Sequence, residues 1–108
     1  MSSLVADVNE LKSRLEWGQP AFTIIDVRDR YTYNHGHITG AISIPLDDLD
    51  DRAKSSLHKQ RHIYLYGEHD TQAAYAAQRL RSAGFNDVFA IQGGLTAWKT
   101  VGGATEGV

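Results

Sequence analysis

Cysteine is absent from all 108 residues. That excludes disulfides, thiolate metal sites and every mechanism that runs through a cysteine nucleophile. A surplus of charge of either sign is missing too. The formal net charge of −2 gives no electrostatic reason to expect nucleic acid or an anionic membrane as partner. No apolar run approaches the length of a membrane span, and no basic segment followed by an apolar one opens the chain, so a cytoplasmic location is the default expectation. Internal repeats and low-complexity segments are also lacking. The length suits one domain over residues 1–108, with a core over about residues 4–99 and a loose tail at 100–108. With no long exposed apolar helix to pair, a monomer is expected.

What is present is an alternation of strand and helix patterns. Leu4, Val8, Leu11 and Leu15 recur at helical spacing, with Ser2 or Ser3 as the expected N-cap and Trp17-Gly18-Gln19-Pro20 as the stop. Phe22–Val27 reads as a buried strand, Arg28–Asn34 as the region of a short helix broken at His35-Gly36-His37, and Ala41–Ile44 as a second strand stopped by Pro45. Leu46–Asp51 reads as an acidic helical turn and Ala53–Leu57 as a further short helix. His62–Tyr66 is a third strand, with Ile63 and Leu65 on one side and Tyr64 and Tyr66 on the other. A helix over about residues 72–83 follows, capped by Asp70 or Thr71 and closed by Gly84. Asp87–Ile91 is a fourth strand, and Gly93-Gly94 leads into a last helix with Leu95 and Trp98. Such alternation predicts an α/β domain with a parallel sheet covered on both faces and a ligand site at the carboxyl ends of its strands.

The loop Gly67-Glu68-His69-Asp70-Thr71-Gln72 lies at such an end, where a strand passes into a helix N-terminus whose first N–H groups lack helical partners. Glu68, His69 and Asp70, with His35 or His37, are the candidates for a metal site. Consecutive loop residues rarely converge on one ion, and the usual zinc spacings are absent, so no metal or cofactor is expected. Thr71 activated by His69 is conceivable as a nucleophile but reads more simply as a cap. Tyr64, Tyr66 and Tyr75 suggest an aromatic patch, although the first two read as core residues. Asp26 is placed to accept loop N–H groups, Gly36 and Gly40 to allow positive φ, His37 to hold the turn between them, and Trp98 to pack in or beside the core.

Three stretches together carry a resemblance. Asp26-Val27-Arg28, then Gly36-His37-Ile38-Thr39-Gly40-Ala41 with Ile44-Pro45, resembles the first signature of rhodanese-like domains; Gly93-Gly94 with Ala97-Trp98 resembles the second. Both occur in order at single-domain spacing. The resemblance implies a three-layer α/β fold with a central, mostly parallel sheet of about four to five strands flanked by helices. It also implies a site at the loop after the third central strand, typically Cys-x-x-Gly-x-Arg-(Ser/Thr), whose thiolate carries a persulfide.

In this chain that alignment puts Gly67 at the nucleophile, Asp70 at the usual glycine, Gln72 at the usual arginine and Ala73 at the usual serine or threonine. Gly67 cannot hold sulfur, and Gln72 supplies no positive charge for an anion. The expectation is a catalytically inactive sulfurtransferase homologue, a binding or regulatory module for an unidentified protein partner. Asp26, Arg28, Gly36, His37, Gly40, Gly93, Gly94 and Trp98 are then framework residues. The alternatives are an enzyme or a metal- or anion-binding site rebuilt on Gly67–Gln72, or a purely structural unit of a larger protein.

Overall fold

Period-two alternation sends Ile63 and Leu65 to one side of their strand and Tyr64 and Tyr66 to the other, and all four side chains are buried. A strand buried on both faces needs a covered sheet around it. The computed structural model, which describes residues 5–16 and 21–107, has that arrangement. Its elements in chain order are β1 (Val5–Ala6), α1 (Val8–Glu16), β2 (Phe22–Asp26), α2 (Arg30–Asn34), β3 (His37–Ile38), β4 (Ile42–Ser43), a 3-10 turn (Leu46–Asp48), α3 (Leu49–Ser56), β5 (His62–Tyr66), α4 (Asp70–Ser82), β6 (Val88–Ile91), α5 (Gly94–Thr100) and β7 (Thr105–Glu106). Five strands form one parallel sheet in the order β1-β6-β5-β2-β4, while β3 and β7 pair antiparallel beside it.

Each face of the sheet carries its own core. On one side Ile25, Val27, Ile63, Leu65 and Val88 meet Ala73, Ala76, Ala77 and Leu80 of α4 and Leu49 and Ala53 of α3. The three alanines are the reason α4 can lie close to the strands. On the other side Ile24, Tyr64, Tyr66 and Ile91 meet Val8 and Leu11 of α1 and Trp98 of α5. Burying each large apolar side chain contributes about 1.5–3 kcal/mol. Among the described residues no helix is long and apolar enough to cross a membrane.

The winding reverses between β2 and β5. From β2 the chain moves outward to β4, crosses back through α3 to β5 on the other side of β2, and continues through α4 to β6. The carboxyl ends of β2 and β5 therefore border the crevice where a doubly wound sheet places its ligands.

Several expectations need correction. The helix predicted from Leu4 begins at Val8, because Val5 and Ala6 pair with Ala90 and Ile91 instead. Two residues are too few to display alternation, and their apolar character fits either pattern. Asp7 Oδ1 accepts the Asn9 N–H at 2.6 Å, at the start of α1. The expected caps Ser2 and Ser3, Leu4 and the stop at Trp17-Gly18-Gln19-Pro20 lie outside the described residues. The strand expected at Ala41–Ile44 has its ladder only at Ile42–Ser43.

The tail expected to be loose is tied down. Thr105–Glu106 pairs with His37–Ile38, Ala104 O accepts both Trp98 Nε1–H (2.8 Å) and the Thr39 N–H (3.1 Å), and Glu106 Oε1 accepts the Gly40 N–H at 3.2 Å. These attachments use hydrogen-bonding groups of the backbone, the Trp98 indole N–H and the Glu106 carboxylate, not apolar contacts, so hydrophobic patterning gives no sign of them.

Gly103 lies so close to the Trp98 indole that a Cβ there would overlap the ring. Gly103→Ala is expected to lift the tail from Trp98, costing about 1–3 kcal/mol. Amide hydrogen exchange checks this: the Thr39 N–H should lose protection before the β5 amides do. Unchanged Thr39 protection would show that the indole contact does not hold the tail.

Candidate functional site

At the carboxyl end of β2, Asp26 is fully buried and Arg28 is 9% exposed. A buried charge must be paired and hydrogen-bonded to be tolerated. Asp26 Oδ1 accepts the Arg28 backbone N–H at 2.9 Å and Nε–H at 3.0 Å, and Asp26 Oδ2 accepts Nη2–H at 2.6 Å. Arg28 Nη2 also donates to Gly36 O at 2.7 Å, joining the end of β2 to the Gly36–Gly40 turn. Burial alone would lower the Arg28 pKa, but hydrogen bonding and charge from Asp26, with smaller contributions from Tyr66 and Glu68, hold it above its ordinary value.

Behind this pair sits Tyr66, the last residue of β5. Its hydroxyl accepts the Ile38 N–H at 3.0 Å, and burial followed by the Asp26 charge pushes its pKa well up. The turn it supports carries Gly36 (φ 149°) and Gly40 (φ 87°), backbone conformations that glycine adopts without strain. His37 lies stacked on Tyr33 with centroids 3.7 Å apart. Its Nδ1 is 2.8 Å from Tyr33 O and its Nε2 is 3.5 Å from Glu106 Oε1. Exposed Asp29 caps α2 by accepting the Thr32 N–H at 2.8 Å, and that backbone hydrogen bond holds its carboxyl below the usual range.

The loop from β5 into α4 faces this pair. The expected cap is corrected here: His69 occupies the N-cap position with no side-chain cap hydrogen bond, Thr71 lies within the first turn, and Asp70 Oδ1 reaches across to the Gly93 N–H at 2.9 Å. The competing demand of the Gly93-Gly94 turn takes the carboxylate away from the helix end. Gln72 turns back, and its Oε1 accepts the Glu68 N–H at 2.7 Å. A Cβ built on Gly67 would overlap that oxygen and lie 3.0 Å from Gln72 Cδ. The Gln72 amide thus fills the space that a side chain at Gly67 would need.

Two adjoining cavities open here and share Arg28 and Glu68 in their walls. One, of about 220 Å³, runs from Gly67 to Gly94 and Leu95; the other, of about 260 Å³, lies between Asp29, Asp47, Leu46 and Gln72. Of the residues singled out from sequence, Gly67–Asp70, Gly93, Gly94 and Arg28 surround the first cavity, Gln72 borders the second, and Asp26 sits beneath Arg28. Gly36, His37 and Gly40 lie behind Arg28, and Trp98 is in the α1–α5 core. Leu95, Thr96 and Asp47 line the cavities without having been singled out. Only their nearness to Gly93-Gly94 and Pro45 gave a sign of it. Tyr64 and Tyr66 are core residues, while Tyr75 is exposed. Among the described residues no three His, Asp or Glu side chains are placed to hold a metal ion.

A parallel sheet with two-sided helical cover, and a strand-loop-helix cradle at its switch point, defines a class of small α/β ligand-site domains. Within it the chain belongs to the rhodanese-like domain family, whose model matches residues 7–101. The Anabaena sp. Alr3790 rhodanese-like domain, solved in solution, is 59% identical with a TM-score of 0.94, covering 99% of this chain and 81% of that one. Among curated relatives, the YqhL protein of Bacillus subtilis is 36% identical over 75 residues, covering 69% of this chain; the chain spans 59% of YqhL's length. The thiosulfate sulfurtransferase GlpE of Shewanella oneidensis is 32% identical over 91 residues, 84% of this chain and 87% of GlpE.

Asp26→Asn removes one charge from a pair with no access to water on the aspartate side. It is expected to lower stability by about 3–5 kcal/mol, because Arg28 is left buried and uncompensated. Urea denaturation measures the loss, and a cost under about 1 kcal/mol would mean the pair does not anchor the crevice.

Proposed function

We propose that this domain is a non-catalytic rhodanese-like module that binds a protein partner through the crevice at the β5–α4 loop. The observation that carries the reading is the Gln72 side chain seated where a nucleophile side chain at Gly67 would stand, in a chain with no cysteine. Sulfur transfer of the kind named for the Shewanella relative needs a thiolate to receive the sulfur. Cysteine-dependent phosphate or arsenate chemistry needs the same group. Gly67 supplies no nucleophile, and the Glu68 N–H, which would help bind an anion, already donates to Gln72.

A replacement chemistry through Glu68, His69 and Asp70 finds little support. Asp70 is committed to Gly93, and His69 caps α4 by its backbone alone. What remains is a shaped crevice on a rigid framework, which suits recognition.

A thiosulfate:cyanide sulfurtransferase assay tests the reading on wild type, Gly67→Cys and the double variant Gly67→Cys/Gln72→Arg. Wild type is expected to match the buffer blank. The double variant should exceed Gly67→Cys alone, since a Cβ at Gly67 forces the Gln72 amide aside whereas the double change removes it. Turnover by wild type above the blank would overturn the reading.

A further inference from the structure

The geometry points to a pH-dependent latch: β7 clamps the Gly36–Gly40 turn when His37 is protonated and loosens its hold when His37 is neutral. The inference is independent of the non-catalytic reading, since no group in it belongs to the β5–α4 loop.

The direction of one hydrogen bond decides which charge state fits. His37 is 7% exposed and lies stacked on Tyr33, with its Nδ1 2.8 Å from Tyr33 O. A carbonyl oxygen only accepts, so the hydrogen of a neutral imidazole sits on Nδ1 and its Nε2 is left as a lone pair. That lone pair faces Glu106 Oε1 at 3.5 Å. Two acceptors so placed repel each other. A proton on Nε2 turns the same approach into an attraction between imidazolium and carboxylate. Glu106 Oε1 also accepts the Gly40 N–H at 3.2 Å, which holds the carboxylate in front of His37.

The neighbouring groups leave Glu106 as the charge that His37 answers to. The Asp26–Arg28 pair, joined to the turn through Gly36 O, is neutral as a pair. Tyr66 on β5 and Tyr33 on α2 keep their protons, since burial pushes both phenols up. Arg30 stands over the Tyr33 ring at 5.6 Å but is exposed, and solvent screens it. α5 brings Trp98 to the core around Ile38, and that ring carries no charge. The strand itself is held lightly: β7 is two residues long and both are exposed. An element that buries so little apolar surface lies at the low end of local stability, where one contact shifts the population. Gly107 runs so close to the turn that a Cβ there would lie 2.8 Å from Asn34 O and 3.2 Å from Gly36 N. The latch thus bears on the turn whose Gly36 O holds Arg28. It is closed below the imidazole range and weakens as pH rises through it.

The test is amide hydrogen exchange on the ¹⁵N-labelled protein at about pH 5.5 and about pH 7.5, on either side of the ordinary imidazole midpoint, with rates corrected for the pH dependence of free amides. Protection of the Thr39 and Gly40 N–H groups is expected to fall about fourfold at the higher pH, the size of one partly exposed ion pair. Glu106→Gln keeps an oxygen for the Gly40 N–H and removes the charge, so its protection should be the same at both pH values. Equal wild-type protection at the two pH values, protection that rises with pH, a fall shared equally by the β5 amides, or a fall that survives Glu106→Gln would each overturn the inference. The imidazole ¹⁵N shifts at the higher pH give a second check. Neutral His37 is expected to carry its hydrogen on Nδ1, and a hydrogen found on Nε2 would overturn the inference as well.

Discussion

The buried pair of Asp26 and Arg28 is the constraint on which the rest of the crevice depends. It fixes the end of β2 at the point where the sheet reverses its winding, and through Gly36 O it fixes the turn that leads to β4. The cost of taking two charges out of water is offset by four hydrogen bonds from Arg28 to Asp26, including one from the backbone, and by the spare bond to Gly36. Because Asp26 and Gly36 O take up its Nε and Nη2 donors, Arg28 is held in place as a wall of the crevice.

The same separation of scaffold from chemistry runs through the β5–α4 junction. Tyr66 and Leu65 are held by the two cores, and Ala73 and Ala76 seat α4 on the sheet. Between them the backbone path from strand to helix is kept, while the side chains along it are free to differ. Glu68 and Gln72 alter what the crevice offers without touching either core. A rhodanese-like framework therefore persists in a chain with no thiol.

Elements whose identity rests on local pattern were legible in the sequence. The central strand His62–Tyr66 matches the expected bounds because its alternation and its two-sided burial agree, and α4 announces itself through alanines three and four apart. Positions governed by distant partners were not legible. Val5–Ala6 becomes a strand only because Ala90 and Ile91 lie alongside, and Thr105–Glu106 only because His37–Ile38 offers free backbone groups. In the crevice, the chain order showed that Gly67 lacks a side chain and that Gln72 lacks a charge. It could not show that one fills the space left by the other, since an i to i+5 relation across a loop and a helix start has no periodicity to betray it.

The placement of β1 has a consequence for how the chain is made. Of the domain's strands β1 is the first in chain order, and among the described residues its only sheet neighbour is β6, some eighty residues later. Until β6 and the helix before it have been synthesised, the β1 segment has no edge to join, and α1 has no α5 to pack against. Closure of that side of the sheet is thus a late event with a long loop to close, while β2, β4 and β5 can associate earlier. On a translating ribosome the domain would assemble from its middle outward, and Val5–Ala6 would be the last strand of the sheet's β6 side to find its place.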